Sequence, residues 1–203
     1  MSCADVRSLL TFTLAAAVAG LAWSGPFQDA QSQTWDWDKA DRETLRLPPS
    51  AFPELPQAVA EELAQRGCRI PQVEPSDWLE GPHNVISGQF KQPGQTDWAL
   101  LCSVDRVSSV LVFWNGSAEN IEELSGGGYP DRNCLQGIGG GRIGFSCLIS
   151  PVGEAYILEH REGYGGPEPP PIDHEGINEA FVGKISVVRY WYEGEWLKLQ
   201  GAD

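Results

Sequence analysis

The chain has 203 residues with 28 acids against 14 bases, a formal charge of −14 at pH 7; such a surplus repels nucleic acid and anionic lipid and argues against both as partners. Mean hydropathy is −0.27, and only the N-terminus carries an apolar run, so no second stretch approaches the roughly 20 residues of a membrane span. The length suits one domain with a genuine core.

Arg7 precedes the apolar run Leu9 to Ala22, which is too short and too Ala-rich for an anchored span. The pattern predicts a signal peptide over 1–24, with Ala22 and Ser24 flanking Trp23 as the small residues of a processing site and cleavage before Gly25. A retained N-terminal helix that tethers the protein is the alternative. Cys3 lies ahead of the apolar run, where no lipid would be attached. Cleavage removes Asp5 and Arg7 together, so the charge is unchanged, and the expected location is the periplasm or the exterior.

Residues 25–52 are rich in Gln, Asp and Pro and include Trp35-Asp36-Trp37-Asp38 without a sustained period. They read as an acidic flexible leader, a linker or a strap over the domain. Its two tryptophans either dock in a groove or present a short recognition motif.

A single β-rich domain is expected over 53–203. It opens with a short amphipathic helix from Pro56 to Arg66, where Val59 and Leu63 share a face, Pro56 suits the first turn and Gly67 the C-cap. From Asn84 the pattern changes to strands between turn residues: Val85 to Phe90, Trp98 to Cys102, Val107 to Trp114, Cys134 to Ile138, Arg142 to Ile149, Glu154 to His160, Ile185 to Tyr192 and Glu195 to Leu199. The runs 98–102 and 110–114 are apolar on both faces, which predicts central strands covered on both sides, one of them by the helix. Asn115-Gly116 predicts a type I′ turn, with a polar edge strand over 117–124 and a glycine loop over 126–128. The stiff stretch Gly165 to Pro171 is either a ligand for an aromatic groove or a rigid surface crossover. Residues 173–183 then suggest one or two helical turns before a terminal hairpin. The fold class is thus β-rich α+β, mainly antiparallel hairpins with one short N-terminal helix.

Four of the five cysteines lie beyond the signal peptide, an even number for an oxidising compartment, and two disulfides are expected. A turn at Gly140-Gly141 sets Cys134 opposite Cys147 at a non-hydrogen-bonded hairpin position, where a bridge closes. Cys68 then joins Cys102 and fastens helix to sheet, with a loop of about 35 residues contributing roughly 3 to 4 kcal/mol in the chain-entropy model.

Counting across Glu193-Gly194 pairs Tyr192 with Glu195, Trp191 with Trp196, Tyr190 with Leu197, Arg189 with Lys198 and Val188 with Leu199. Val188, Tyr190, Leu197 and Leu199 form the natural core side. The other face carries Trp191, Trp196, Arg189 and Lys198, two cations that repel across strands and are hard to bury unpaired. This face is the candidate binding surface, suited to stacking on a sugar ring or receiving an acidic peptide. Alternatively the leader or the proline-rich crossover covers it, with Asp36 or Asp38 meeting Arg189 and Lys198.

The segment Gly88-Gln89-Phe90-Lys91-Gln92-Pro93-Gly94-Gln95-Thr96-Asp97-Trp98-Ala99 resembles the strand-turn-strand of an FG-GAP or VCBS-type repeat, in one copy. Those repeats bind calcium through several acidic loop side chains, whereas here Asp97 is the only carboxylate, too few oxygens for a hard cation. As a whole the chain is similar to small exported bacterial proteins of unknown function, through Arg66-Gly67-Cys68, Asp97-Trp98-Ala99, Pro170-Pro171-Ile172-Asp173-His174 and Gly201-Ala202-Asp203. That similarity implies export and supplies no activity.

None of His83, His160 and His174 stands at a zinc-site spacing from a second ligand, no G-x-S-x-G elbow is present, and the glycines of 137–144 lack the Lys and Ser/Thr of a phosphate loop. Asn115-Gly116-Ser117 matches a glycosylation acceptor, which the turn already explains. Asp173-His174-Glu175 is the densest titratable cluster, with His174 either a general acid/base or a packing residue behind a capping Asp173. Two function classes follow. The first is a non-catalytic envelope or extracellular binding module, with no cofactor or metal, for an envelope glycan or another exported protein; the second is a secreted hydrolase with a site around His174 and Asp173 or around Asp97.

Overall fold

A computed structural model describes residues 35–124 and 127–202; the expected signal peptide and residues 25–34 of the leader lie outside the described residues. In chain order the elements are helix α1 (Trp37–Glu43), β1 (Arg46–Leu47), α2 (Gln57–Gln65), β2 (Ile70–Pro71), β3 (Val85–Gly88), β4 (Asp97–Val104), β5 (Val107–Phe113), β6 (Ile121–Glu123) and β7 (Tyr129–Pro130). They continue with β8 (Leu135–Gly139), β9 (Arg142–Phe145), β10 (Cys147–Val152), α3 (Glu154–Tyr164), β11 (Gly176–Phe181), β12 (Ile185–Tyr192) and β13 (Glu195–Gln200).

Two antiparallel sheets form the body, one ordered β3-β4-β5-β6 with β7 also on β5, the other β10-β11-β12-β13. Strands β4 and β5 are apolar on both faces because each face meets a layer. Leu100, Cys102, Leu111 and Phe113 pack with Val59 and Leu63 of α2, and the alternate residues Ala99, Leu101, Val110 and Val112 pack with Ile149 and Ile177 of the second sheet. Burial of Val59 and Leu63, both fully enclosed, contributes about 1.5–3 kcal/mol each. The outer face of the second sheet, with Val188, Tyr190 and Leu199, is closed by Ile157 of α3. The fold is therefore β-rich with antiparallel sheets, and helices cover both outer faces.

Buried Asn84 joins the sheets. Its Nδ2 donates to the carbonyls of Pro71 and Cys147, and its Oδ1 accepts from Ile149 N. Both expected disulfides are present, Cys68–Cys102 and Cys134–Cys147, in keeping with an oxidising compartment. The second arises differently from the hairpin count. Ile138 is an extra, bulged residue, so Leu135 pairs with Phe145, and Cys134 sits before β8 with its carbonyl accepting from Ser146 N. The bridge thus links the hairpin's entry to the start of β10, with Cα atoms 5.2 Å apart.

Five other expectations need correction. The described part of the leader is ordered: Asp36 caps α1 by accepting from Lys39 N, and Arg46 anchors the strap through Asp131. The expected strand over 142–149 is two strands, because the chain leaves β8 at Ser146 and joins β11. The expected strand over 154–160 is α3, whose row Tyr156, His160 and Tyr164 stacks one turn apart. The helical turns expected over 173–183 are strand β11, paired on both sides, so Asp173 caps no helix. Asn115 and Gly116 do take positive φ, 52° and 62°, but within a connection that runs from residue 114 to 120. The stretch 165–171 is a crossover between α3 and β11.

Candidate functional site

The terminal hairpin has the counted register, from Tyr192 opposite Glu195 to Val188 opposite Leu199. Glu193 and Gly194 carry the positive φ that a two-residue turn needs. Trp191 and Trp196 are half-buried and lie edge to face, ring centroids 5.4 Å apart. Trp114, from the end of β5, stacks on Trp196 at 5.5 Å and leans on Trp191 at 5.2 Å. Trp196 Nε1 donates to Glu122 Oε2 on β6 at 2.9 Å, whereas Trp114 Nε1 is buried without an acceptor among the described residues.

Cations lie beside this cluster as well as the Glu122 carboxylate. Exposed Lys91 places its Nζ 5.1 Å from the Trp114 ring centroid and 6.0 Å from that of Trp191, a cation–π geometry. Lys198 is exposed on the strand face of Trp196. Arg189 is tied down, its Nε donating to Glu179 Oε1 at 2.6 Å, so Asp36 and Asp38 are not its partners; Asp38 meets Arg132 instead.

Asp97 explains how Lys91 and Trp114 reach the same place. Its carboxylate is fully buried and accepts from Phe90 N and Lys91 N on one oxygen, and from Gln95 Nε2 and Asn115 N on the other. One side chain therefore shapes the 89–96 loop that carries Lys91 and fixes the backbone next to Trp114. From the other side, Glu175 Oε2 accepts from Gln89 N. Sequence reasoning singled out Trp191, Trp196, Arg189 and Lys198 but missed Lys91 and Trp114. The signal available was the Asp97 loop, whose turn had to present Lys91 somewhere.

The two clusters considered for hydrolysis, around Asp97 and around His174, are each held by internal contacts. Asp97 has its acceptor capacity filled by four donors. The His174 side chain is 5% exposed; its ring stacks on Tyr190 at 4.3 Å, Nδ1 lies 3.0 Å from the Glu175 carbonyl, and Nε2 is 3.8 Å from Asp173. The Tyr190 hydroxyl accepts from Asp173 N at 3.1 Å, and burial raises its pKa above the ordinary phenol value. No cluster of three metal-ligating side chains occurs among the described residues.

The chain matches no family model, no curated protein and no solved structure. No helix among the described residues is long and apolar enough to cross a membrane.

A cleft of about 490 Å³ lies between α1 and the β8–β9 hairpin. A shallower one of about 380 Å³ adjoins it around Trp35, Trp37 and Arg132. The third, about 200 Å³, lies over the second sheet and is lined by Tyr129 and the Arg189–Glu179 pair. Burial, with the charges of Glu179 and Asp131, pushes the Tyr129 phenol well above its ordinary pKa, so it stays neutral.

Proposed function

We propose that the protein is an exported, non-catalytic binding module whose ligand face is Trp191 and Trp196, backed by buried Trp114, with Lys91, Lys198 and Arg189, and that this face takes an acidic glycan of the cell envelope. The observation that carries it is charge. On a chain of net charge −14, exposed Lys91 and Lys198 flank the indole pair, and neither has a carboxylate within 4.0 Å among the described residues. Indole rings stack on the apolar face of a pyranose, and ammonium groups hydrogen-bond its carboxylates. Arg189, already neutralised by Glu179, orients the strand face. Export is supported by the N-terminal apolar run and by the two disulfides.

The test is calorimetric titration of the chain with polygalacturonate and with neutral dextran. Polygalacturonate is expected to bind in a salt-sensitive manner and to weaken about tenfold in a Lys91→Glu, Lys198→Glu variant, with melting unchanged because both side chains are exposed. Equal binding by wild type and variant refutes the face. A second reading, an acidic segment of another exported protein as partner, rests on the same lysines and is favoured if polyglutamate binds and polygalacturonate does not.

A further inference from the structure

We infer that the cleft between α1 and the β8–β9 hairpin is a separate binding site for a neutral oligosaccharide, running from the cleft over Trp35 to Trp37. The inference does not rest on the tryptophan cluster of the second sheet. A volume of about 490 Å³ falls within the range of small-molecule sites. Trp35 borders both this cleft and its shallower neighbour, and Trp35 and Trp37 remain 43% and 38% exposed with ring centroids 6.3 Å apart and planes inclined by 31°. The Trp35 ring rests on Gly137, where an added Cβ would lie 3.4 Å from Cη2. A residue without a side chain thus seats the indole as a shelf at the mouth of the cleft. Two adjacent indoles that leave this much apolar surface in water offer platforms for two consecutive sugar rings.

The charges select the ligand class. Lys39 pairs with Glu43 at 3.8 Å, Arg142 with Glu74 at 2.9 Å and Arg132 with Asp38 at 3.7 Å, while the Asp36 carboxylate accepts from Lys39 N at 2.8 Å. Each of the three cations has a carboxylate partner in the wall itself and Asp36 adds one further negative charge, so an anionic ligand would have to displace an existing pair. A neutral polyhydroxylated ligand needs only the lone pairs and N–H groups those pairs leave over.

The full chain would be titrated with chitohexaose, cellohexaose, maltohexaose and oligogalacturonate, followed by indole fluorescence and calorimetry. At least one neutral hexasaccharide is expected to bind, weakening about tenfold in Trp35→Ala and in Trp37→Ala with melting little changed. Gly137→Val, which moves the shelf without deleting it, is expected to weaken binding similarly. Binding unaffected by all three substitutions, a preference for oligogalacturonate at this cleft, or no neutral hexasaccharide bound at millimolar concentration overturns the inference. Loss confined to a Trp191→Ala, Trp196→Ala variant overturns it as well and moves neutral sugars to the other face.

Discussion

Arg46→Met is expected to destabilise the protein by about 3 kcal/mol, because it leaves a buried carboxylate without its cation. Asp131 is fully buried and receives Arg46 Nε at 2.8 Å, Arg46 Nη2 at 2.7 Å, Ser103 Oγ at 2.7 Å and Ser108 Oγ at 2.6 Å. Breaking a buried pair from one side costs about 3–5 kcal/mol. The lower end applies here because the two serine hydroxyls still donate, and because the Arg46 side chain is 13% exposed, which admits water once the guanidinium is gone. Met keeps much of the stem's packing, so the loss reports charge and hydrogen bonds rather than a cavity. At about 2–4 °C per kcal/mol for a domain of this size, melting should fall by roughly 6–12 °C. Arg46 also donates from Nη2 to Asp41 Oδ1 and from Nη1 to the Asp41 carbonyl, so α1 should loosen before the sheets and become the first site of limited proteolysis. Calorimetric melting with intact disulfides, followed by proteolysis with mass mapping, measures both. A melting shift below about 2 °C, or first cleavage elsewhere, would refute the clamp.

Non-reduced peptide mapping should return Cys68 joined to Cys102 and Cys134 to Cys147, and a Cys134→Ser, Cys147→Ser variant should lose about 3 kcal/mol for its short loop in urea unfolding. Asp97→Asn replaces one accepting oxygen by an amide that cannot receive two of the four donors, with an expected loss of about 2–4 kcal/mol; a changed near-ultraviolet signal from the Trp114 cluster would show that Lys91 and Trp114 had moved. His83 is held below its ordinary pKa, first by burial and against the raising effect of its bond to the Gly81 carbonyl, and its Nε2 accepts from Val73 N, which needs the neutral ring. With the folded pKa depressed, its contribution is complete above the unfolded value of about 6.5 and fades as pH falls through the lower folded value. Relative to wild type, His83→Asn should therefore lose stability at pH 8 and converge toward it as the solution becomes acid; a difference independent of pH would sink this assignment.

Much of the architecture was legible in short stretches of sequence, because local chemistry decided it. Gly194 takes positive φ freely and marks Glu193-Gly194 as a two-residue loop, so the terminal register and its core face followed by counting. The doubly apolar runs around Leu100 and Val112 announced strands covered on both sides, and an even set of four cysteines beyond the N-terminal apolar run announced two bridges. What the sequence could not decide were outcomes set by partners far along the chain. Glu154 to His160 mixes helix formers with β-branched and aromatic residues, and it is helical because a covering face was needed over Val188 and Tyr190; the row Tyr156, His160 and Tyr164 was the overlooked period. Residues 176–181 have little strand propensity of their own and are extended because β10 and β12 hydrogen-bond them from both sides. The leader is ordered from α1 onward because Arg46 meets a carboxylate 85 residues away. The tryptophan face was readable as a pair, but the buried ring behind it and its lysine come from the residue after β5 and the loop before β4, placed there by Asp97. A strand face can be counted from one turn, whereas a site built where two sheets meet depends on which buried groups must satisfy one another, and only the folded chain decides that.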